Sequence, residues 1–423
     1  MAIQANDVTL KSWVEVPAHS DFPIQNLPFG IFSDGGDGRV GVAIGDHVLD
    51  LSLLAEVGMF DDLDIPDLSV FYESTLNAFI GLGKATTSSV RNRISQLLQH
   101  GNATLSGHEI RQQALIDRKD LKMLMPVKVG DYTDFYSSKE HATNVGTMFR
   151  DPENALLPNW THLPVAYHGR ASSIIVSGVP IHRPHGQSKP PEAEQPVFGP
   201  TRRLDFELEM AFITGKSTEL GTAISTADAE DYIFGFVMFN DWSARDIQAW
   251  EYVPLGPFLA KNFASSISPW VVTLDALEPF RIAGPVQDPP VLPYLQISGK
   301  RNFDIHLEAA IQPENTTATT VCRTNFRHMY WSINQQLAHH TVNGCNINIG
   351  DMYASGTISG SGEEAYGSML ELSWKGTKPL TMADGSDRSF IEDGDVVIFS
   401  GYAQHENIRI GFGDLKTKVL PAL

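Results

Sequence analysis

The chain has 423 residues, 42% of them hydrophobic, and carries a formal net charge of −19 at pH 7. Its length is typical of two or three domains, and its apolar content is that of a protein with a folded core, which excludes extensive disorder. The acidic charge, without any basic stripe, argues against a nucleic-acid partner, and the sequence has no apolar run long enough to cross a membrane.

Cysteine usage and the N-terminal sequence indicate the compartment. Cys322 and Cys345 are the two cysteines, which are too few for a disulfide framework or a thiolate zinc site. The first residues lack a charged segment followed by an apolar one, so a secretory signal is not indicated. A reducing, cytoplasmic setting fits both observations.

Residues 1–125 are predicted to form a small N-terminal domain. A strand is expected near 29–32, followed by a hairpin over 40–51 that turns at Gly45-Asp46. Helices are predicted at 72–82, 87–99 and 107–116, the second beginning with Thr and Ser residues suited to capping. Because the segment contains no cluster of chemically active side chains, a folding or docking role is favoured.

Residues 126–423 are predicted to form a larger domain. Short strands separated by Gly, Pro, Asn and Asp are interrupted by two predicted helices, at 243–251 and 326–340. This mixture is typical of an antiparallel, β-rich α+β fold rather than a doubly wound one.

The stretch 204–210 alternates strictly between apolar and acidic residues, with carboxylates at Asp205, Glu207 and Glu209. A period of two predicts a strand whose acidic side chains share one face while the apolar ones pack on a core. Neighbouring carboxylates repel one another unless water or a cation lies between them. The pattern therefore indicates either a solvated strand face or a hard divalent cation held by oxygen ligands.

The segment 130–150 is rich in side chains that can carry chemistry. Asp134 can supply a further metal oxygen, and Tyr136 lies two residues beyond it. His141 has the kind of side chain that acts as a base near neutral pH, and Arg150 can bind a substrate carboxylate through two parallel hydrogen bonds. A lone histidine in a loop is more often a packing residue, and the segment alone leaves that alternative open.

The segment 234–252 combines an apolar strand with a polar helix face. The strand is predicted to end at Phe239, and Ser243 with Asp246 is predicted to form a capping box that starts a helix. Asp241 then lies on the strand-to-helix turn, where its carboxylate can project into a cleft. One helix face carries Arg245, Gln248 and Tyr252. That face is either solvated or part of a site.

Three more polar residues occupy unusual surroundings. Lys261 lies in an apolar, Pro-flanked loop, where a lysine needs an anionic partner unless it reaches the surface; the carboxylate cluster is the nearest candidate. Glu371 is predicted on a strand over 370–374, facing away from its apolar neighbours, and a carboxylate there can orient a histidine. Thr357 lies in a Gly-framed turn and can bind a ligand.

The adjacent pair His339 and His340 is not expected to bind a metal. Neighbouring residues on a helix point about 100° apart, so these two rings cannot chelate one ion. Their place near the end of the predicted helix favours a role at its C-terminus.

Across 130–150, 204–210, 240–257 and 355–376, the sequence closely resembles the fumarylacetoacetate hydrolase family, and the likeness extends through most of the chain, including 21–30 and 419–423. It implies a small N-terminal SH3-like barrel, a large C-terminal domain with a mixed β-roll, and a homodimer. It also implies an activity: metal-dependent hydrolysis of the carbon–carbon bond of 4-fumarylacetoacetate to fumarate and acetoacetate, the last step of tyrosine and phenylalanine breakdown.

The resemblance also implies roles for individual residues. The family's metal ligands match Asp134, Glu207, Glu209 and Asp241. His141 matches the general base with Glu371 as its partner, and the residues around the reacting oxyanion and leaving group match Arg245, Gln248 and Lys261. Substrate contacts match Tyr136, Arg150, Tyr167, Gln248, Tyr252 and Thr357. Lys261 and Ser265 match positions near a second, Mg²⁺-type site, where relatives carry Thr in place of Ser265, and the loop 361–365 departs from the family pattern. Ligation by carboxylate oxygens alone favours Ca²⁺ or Mg²⁺ over zinc.

Two other kinds of function are compatible with the sequence. A different reaction on the same scaffold, such as decarboxylation of an oxaloacetate-like acid or hydrolysis of another acylpyruvate, would use the same metal carboxylates. The presence of His141, Gln248 and Lys261 with Glu371 favours the hydrolase. A non-catalytic, metal-stabilised binding protein would need neither a base nor a buried lysine.

Overall fold

The computed structural model of the chain describes residues 3–405 and 407–423. Its strands form three larger sheets and several two-stranded ribbons, and its helices are mostly short. The helices are Leu51–Glu56, Asn77–Ile80, Lys84–Leu98, Ala103–Ser106, Arg111–Ala114, Lys139–Phe149, Arg245–Glu251, Leu274–Leu277, Ile333–Thr341 and Met369–Leu372. The molecule is thus strand-rich α+β, as the sequence predicts.

The N-terminal sheet is antiparallel and has five strands. In spatial order they are Leu115–Asp117, His47–Asp50, Arg39–Ile44, Phe29–Ser33 and Lys122–Leu124. The predicted hairpin turn at Gly45-Asp46 is confirmed. Gly45 has a φ of 54°, a left-handed conformation that favours glycine.

The central sheet is the element that positions the site. Its strands run in the order Ala166–His168, Tyr132–Phe135, Met352–Ala354, Leu208–Thr214, Ile233–Asp241, Ser265–Ile267 and Ile174–Val176, with Val272–Thr273 also paired to the fifth. Most pairs are antiparallel, but Tyr132–Phe135 runs parallel to Met352–Ala354, and Ser265–Ile267 runs parallel to Ile174–Val176. Residues far apart in sequence therefore end at the same edge.

The third large sheet has the order Thr319–Asn325, His306–Gln312, Val396–His405, Leu415–Leu420 and Ile181–His182, with Ile408–Gly411 paired to the third strand. The ribbons are His185–Ser188 with Val197–Pro200, Leu204–Asp205 with Ser243–Ala244, Arg281–Ile282 with Asn302–Phe303, and Leu380–Thr381 with Asp387–Arg388.

Both faces of the central sheet are covered by apolar side chains. Towards the N-terminal sheet, the ring of Phe29 lies 4.8 Å from that of Phe79 and 6.0 Å from that of Phe234. Towards the third sheet, Phe206 meets Phe399 edge-on at 5.5 Å. Because both cores are completed by the central sheet, its strand ends are held rigidly on two sides.

Several predicted helix boundaries in the first 125 residues are wrong. The segment 72–82 contains only the helix Asn77–Ile80, and 107–116 contains Arg111–Ala114 followed directly by a strand. The helix predicted at 87–99 spans Lys84–Leu98 and starts after Gly83, so its Thr and Ser residues lie inside the helix and do not cap it.

Three predictions in the larger domain are also corrected. The helix predicted over 326–340 begins at Ile333, because Ser332 and Gln335 form a capping box there. The predicted strand at 370–374 is instead the helix Met369–Leu372, capped by Ser368. The capping box predicted at Ser243 is absent among the described residues, since Ser243 lies in a strand and the helix starts at Arg245.

Candidate active site

Four buried carboxylates meet at one end of the central sheet. One oxygen from each of Asp134, Glu207, Glu209 and Asp241 lies within 4.8 Å of the others. The sheet register explains the meeting: Asp134 pairs with Ala354, which pairs in turn with Ala211 on the strand that begins beside Glu209. Every one of the four side chains is buried, so the solvated strand face that the alternation also allowed is not observed.

Two of these carboxylates each have a buried oxygen without a hydrogen-bond donor among the described residues. Asp134 Oδ1 and Glu209 Oε1 are buried and accept no hydrogen bond from any described residue. Burial, together with the carboxylate of Asp241, raises the pKa of Asp134 well above its ordinary value, and burial with Asp134 does the same for the pKa of Glu209. Buried oxygens without donors fit a hard divalent cation, which takes oxygen ligands.

Two cations compensate part of this negative charge. Lys261 Nζ lies 2.8 Å from Glu207 Oε2 and 2.7 Å from Asp241 Oδ2, and Arg245 lies 2.7 Å from Glu207 Oε1. Burial alone would raise the pKa of Glu207, but Lys261 and Arg245 outweigh it and hold that pKa below its ordinary value. Burial alone would lower the pKa of Lys261, but Asp241 and Glu207 raise it. Nζ is thus kept protonated, without an electron pair to offer a metal.

Hydroxyl groups donate further hydrogen bonds to two of the four carboxylates, Asp241 and Glu207. Ser265 donates to Asp241 Oδ1 over 3.1 Å, and Tyr167 donates to Asp241 Oδ2 over 2.7 Å. Ser243, which the sequence placed in a cap, donates to Glu207 Oε1 over 3.1 Å. Burial and Asp241 raise the pKa of Tyr167 well above its ordinary value, so its phenol stays a donor.

An imidazole–carboxylate pair lies beside the cluster. His141, in the first turn of the helix Lys139–Phe149, places Nδ1 2.7 Å from Oε2 of Glu371, and both side chains are buried. Burial alone would raise the pKa of Glu371, but His141 and hydrogen bonds from Asn144 and Ser368 lower it. Glu371 thus stays ionised, and it favours the imidazole tautomer with the proton on Nδ1, which leaves Nε2 able to accept a proton.

Asp205 is not part of the carboxylate cluster that Glu207 and Glu209 join. The strand Leu204–Asp205 ends there and a new one begins at Leu208. Asp205 binds Arg245 Nε at 2.7 Å and accepts hydrogen bonds from the backbone N–H groups of Met369 and Leu370 at 2.7 and 3.0 Å. It therefore joins the arginine to the helix that carries Glu371. The sequence pattern gave no signal of this break.

The residues predicted to contact substrate differ in their exposure and in their contacts. The ring of Tyr136 meets that of His141 edge-on at 5.2 Å, and Gln248 accepts a hydrogen bond from Arg245 over 3.3 Å. Arg150 is exposed and donates to the Ala155 carbonyl, and Tyr252 is exposed at the end of its helix. Thr357 Oγ1 is buried without a hydrogen-bond partner within 3–405 and 407–423.

The two adjacent histidines bind separate tyrosines. His339 Nδ1 lies 3.0 Å from the hydroxyl of Tyr294, and His340 Nδ1 lies 3.0 Å from that of Tyr353. Both histidines are in the last turn of the helix Ile333–Thr341.

A cage of buried carboxylates beside an oriented imidazole is the arrangement of an acid–base enzyme with a divalent-cation site. Two family models match the chain: fumarylacetoacetase N-terminal over residues 25–126, and fumarylacetoacetate (FAA) hydrolase C-terminal over residues 131–420. The chain belongs to the fumarylacetoacetate hydrolase family.

Similar proteins cover the chain almost completely. It is 54% identical to fumarylacetoacetase from Rattus norvegicus over 420 residues, covering 97% of this chain and 99% of the relative. For fumarylacetoacetase from Homo sapiens the identity is 54% over 416 residues, with 97% and 99% covered. For fumarylacetoacetase from Arabidopsis thaliana it is 49% over 417 residues, with 98% and 99% covered.

Solved structures share the fold at lower identity. Fumarylacetoacetate hydrolase from Exiguobacterium antarcticum has a TM-score of 0.54 at 17% identity and covers 93% of this chain and 99% of its own. Maleylpyruvate hydrolase from Sphingobium sp. SYK-6, in complex with manganese(II) ion and pyruvate, has a TM-score of 0.50 at 17% identity, with 94% and 100% covered. Among the residues that the structure describes, no helix is long and apolar enough to cross a membrane.

Proposed function

We propose that this chain hydrolyses 4-fumarylacetoacetate to fumarate and acetoacetate, the reaction that ends tyrosine and phenylalanine breakdown. The observation that carries the proposal is the 2.7 Å contact between His141 Nδ1 and Glu371 Oε2 beside the four-carboxylate cluster. Relatives that carry the name fumarylacetoacetase and are 54% identical over almost the whole chain support the choice of substrate.

His141 is the general base in this proposal. Its Nε2 takes a proton from water, and the resulting hydroxide adds to the carbonyl carbon next to the fumaryl part of the substrate. The bond between that carbon and the acetoacetate carbon then breaks, with its electron pair leaving on acetoacetate as an enolate. The proton held by His141 passes to the enolate carbon of acetoacetate, and fumarate leaves with the added hydroxyl oxygen in its new carboxyl group, so one water is consumed and no redox partner is needed.

Arg245, Gln248 and Lys261 act where negative charge develops. Lys261 is buried and the side chain of Arg245 is 10% exposed, and both lie against carboxylates, so their charges are already oriented before substrate arrives. A single well-placed donor of this kind contributes about 3 kcal/mol to the stability of an oxyanionic transition state. Contacts to the rest of the substrate are proposed for Tyr136, Arg150, Tyr167, Gln248, Tyr252 and Thr357.

The divalent cation is proposed to be Ca²⁺ or Mg²⁺, held by Asp134, Glu207, Glu209 and Asp241. A cation held there would supply Lewis-acid polarisation of a substrate carbonyl group. A second, Mg²⁺-type position is proposed near Lys261 and Ser265. Because Nζ of Lys261 is bound to two carboxylates, its charge compensates the site, and any direct ligation there falls to other atoms of these residues.

Loss of the absorbance of the diketone chromophore tests this function. Purified protein, stripped with EDTA and then titrated with Ca²⁺, Mg²⁺ or Mn²⁺, is expected to consume the substrate and release fumarate. His141→Phe is expected to abolish turnover while cation binding, followed by calorimetry, is retained. His100→Phe, at an exposed histidine, is the matched control.

Three results of that assay would contradict the proposed function or its mechanism. A His141→Phe enzyme that keeps most of its kcat would remove the base from the mechanism. Faster decarboxylation of an oxaloacetate-like acid than hydrolysis of the diketone would favour the other reaction on this scaffold, and no turnover of either would favour a binding protein.

We also propose that the chain is a cytoplasmic homodimer. Exposed apolar side chains on the loop after the helix Arg245–Glu251 support a subunit contact: Val253, Leu255 and Phe258 are 67%, 97% and 65% exposed, and neighbouring exposed apolar side chains are typical of protein interfaces. Sedimentation at about twice the chain mass of 46.5 kDa tests this assembly.

The domain architecture is proposed to follow the family: an SH3-like barrel within 1–125 and a mixed β-roll within 126–423. The five short antiparallel N-terminal strands, with a hairpin turn at Gly45, support the first part.

A further inference from the structure

The carboxylate of Glu371 is held by three neutral side chains in addition to His141. Ser368 donates to Oε2 over 2.8 Å, and Ser359 donates to Oε1 and Oε2 over 2.9 and 3.0 Å. Asn144 donates from Nδ2 to Oε1 over 2.9 Å. Each oxygen is therefore bound from more than one direction, and Glu371 has little freedom to rotate away from the imidazole.

Asn144 has a special place among these donors. It lies three residues after His141 on the same helix, so both side chains project from one helix face towards Glu371. Nδ1 of His141 binds Oε2, and Nδ2 of Asn144 binds Oε1. Two side chains of one helix thus bind the two oxygens of one carboxylate. Together they fix the plane of the carboxylate relative to the imidazole.

The two serines, unlike Asn144, also accept hydrogen bonds from backbone N–H groups. Ser368 caps the helix Met369–Leu372 by accepting from the Glu371 N–H, and Ser359 accepts from the Gly367 N–H over 3.0 Å. Removing either hydroxyl would disturb backbone structure. The Asn144 side chain, by contrast, donates to Glu371 and caps none of the described helices. Replacing Asn144 therefore tests the hydrogen bond to Glu371 with less disturbance of the backbone than replacing either serine.

We propose that Asn144 is a positioning residue for the imidazole–carboxylate pair. It holds Glu371 in the orientation that keeps the proton on Nδ1 of His141 and Nε2 free to take a proton. This inference rests on the proposed function only for the kinetic part of its test, because the orientation exists in the resting protein. A residue that orients a functional side chain through one intermediate contact contributes about 10- to 100-fold to activity.

The experiment compares Asn144→Leu, which keeps the side-chain shape without a donor, with Asn144→Gln, which keeps an amide. Thr143→Val is the control, since Thr143 lies on the same helix and its hydroxyl donates to the backbone carbonyl of Lys139 within that helix. Two readouts are taken: the Nδ1–H proton resonance of His141 in protein with ¹⁵N-labelled histidine, assigned by its loss in His141→Phe, and kcat and KM for diketone hydrolysis.

Asn144→Leu is expected to shift or broaden the His141 Nδ1–H resonance and to lower kcat by about 10- to 100-fold while KM and cation affinity stay within twofold of wild type. Asn144→Gln is expected to lie between wild type and Asn144→Leu, and it decides the question if Asn144→Leu does not fold. An unchanged resonance in both variants, or equal losses of kcat, cation affinity and melting temperature, would overturn the positioning role. Wild-type protein without hydrolase activity would overturn the proposed function instead, since the resonance still reports on Asn144.

Discussion

Replacing Lys261 with methionine tests how the buried charges of the site are balanced. Methionine has nearly the same length as lysine, so the change removes the charge and keeps the volume. Nζ lies 2.8 Å from Glu207 and 2.7 Å from Asp241, and the three side chains are 7%, 7% and 1% exposed. Removing one partner of a buried ion pair costs about 3–5 kcal/mol, because the remaining charge stays buried without compensation.

This free energy converts into a measurable shift in melting temperature. Unfolding of a chain of 423 residues as one unit carries an entropy of about 0.9 kcal/mol/K, from roughly 2.1 cal/mol/K per residue. The metal-free variant is therefore expected to melt roughly 3–6 °C below the wild type. A bound divalent cation replaces the lost positive charge, so Ca²⁺ is expected to raise the melting temperature more in Lys261→Met than in the wild type.

Differential scanning calorimetry in EDTA and in saturating Ca²⁺ measures both effects. Lys119→Met is the matched control: Lys119 also lies 2.7 Å from a carboxylate, Asp117, but its side chain is 75% exposed, and its loss is expected to leave both transitions unchanged. Equal melting of Lys261→Met and wild type in EDTA, or equal increments on adding Ca²⁺, would refute the charge-balance reasoning.

Two further predictions concern the cation and pH. Glu207→Gln is expected to lower cation affinity and to reduce the Ca²⁺-dependent rise in melting temperature, because cation binding to the folded state is what produces that rise. Calorimetry with and without chelator measures both. A wild type that shows no such rise would contradict the metal site. Burial and the Asp241 carboxylate raise the pKa of Asp134, and burial and the Asp134 carboxylate raise the pKa of Glu209. In the metal-free protein, the stability that these two groups contribute is therefore present below the ordinary carboxyl pKa. It is lost as the pH rises through the folded-state pKa values. A cation replaces those protons, so the Ca²⁺-dependent rise is expected to be larger at pH 8 than at pH 5, and a rise independent of pH would contradict the shifted pKa values.

The local pattern predicted those features that depend on nearby residues. The alternation at 204–210 placed Glu207 and Glu209 on a common side, and the turn at Gly45 was visible from its residues alone. The same alternation put Asp205 on that side too, because nothing in the sequence marks where the strand breaks and the chain turns towards the helix Met369–Leu372. Apolar residues at 370, 372 and 374 fit a strand pattern. The helix forms instead where the backbone N–H groups of Met369 and Leu370 donate hydrogen bonds to the distant carboxylate of Asp205.

Contacts between distant segments could not be obtained from pattern alone. His141 and Glu371 are 230 residues apart, and no spacing rule connects them; the family resemblance suggested the pair. Asn144 carried no signal, because an asparagine inside a helix is ordinarily a surface residue. Ser243 was assigned to a cap because its spacing to Asp246 fits one, but it bonds Glu207.

The parallel pairing of Tyr132–Phe135 with Met352–Ala354 has a consequence for synthesis on the ribosome. When Tyr132–Phe135 emerges, its antiparallel neighbour Ala166–His168 follows soon after, but its parallel partner is still more than two hundred codons away, so one edge of the strand stays unpaired until late in synthesis. Such late closure makes folding slow and leaves apolar strand edges uncovered in the nascent polypeptide. The site is therefore complete only near the end of translation. Until then, chaperones can bind the exposed apolar edges of the nascent chain.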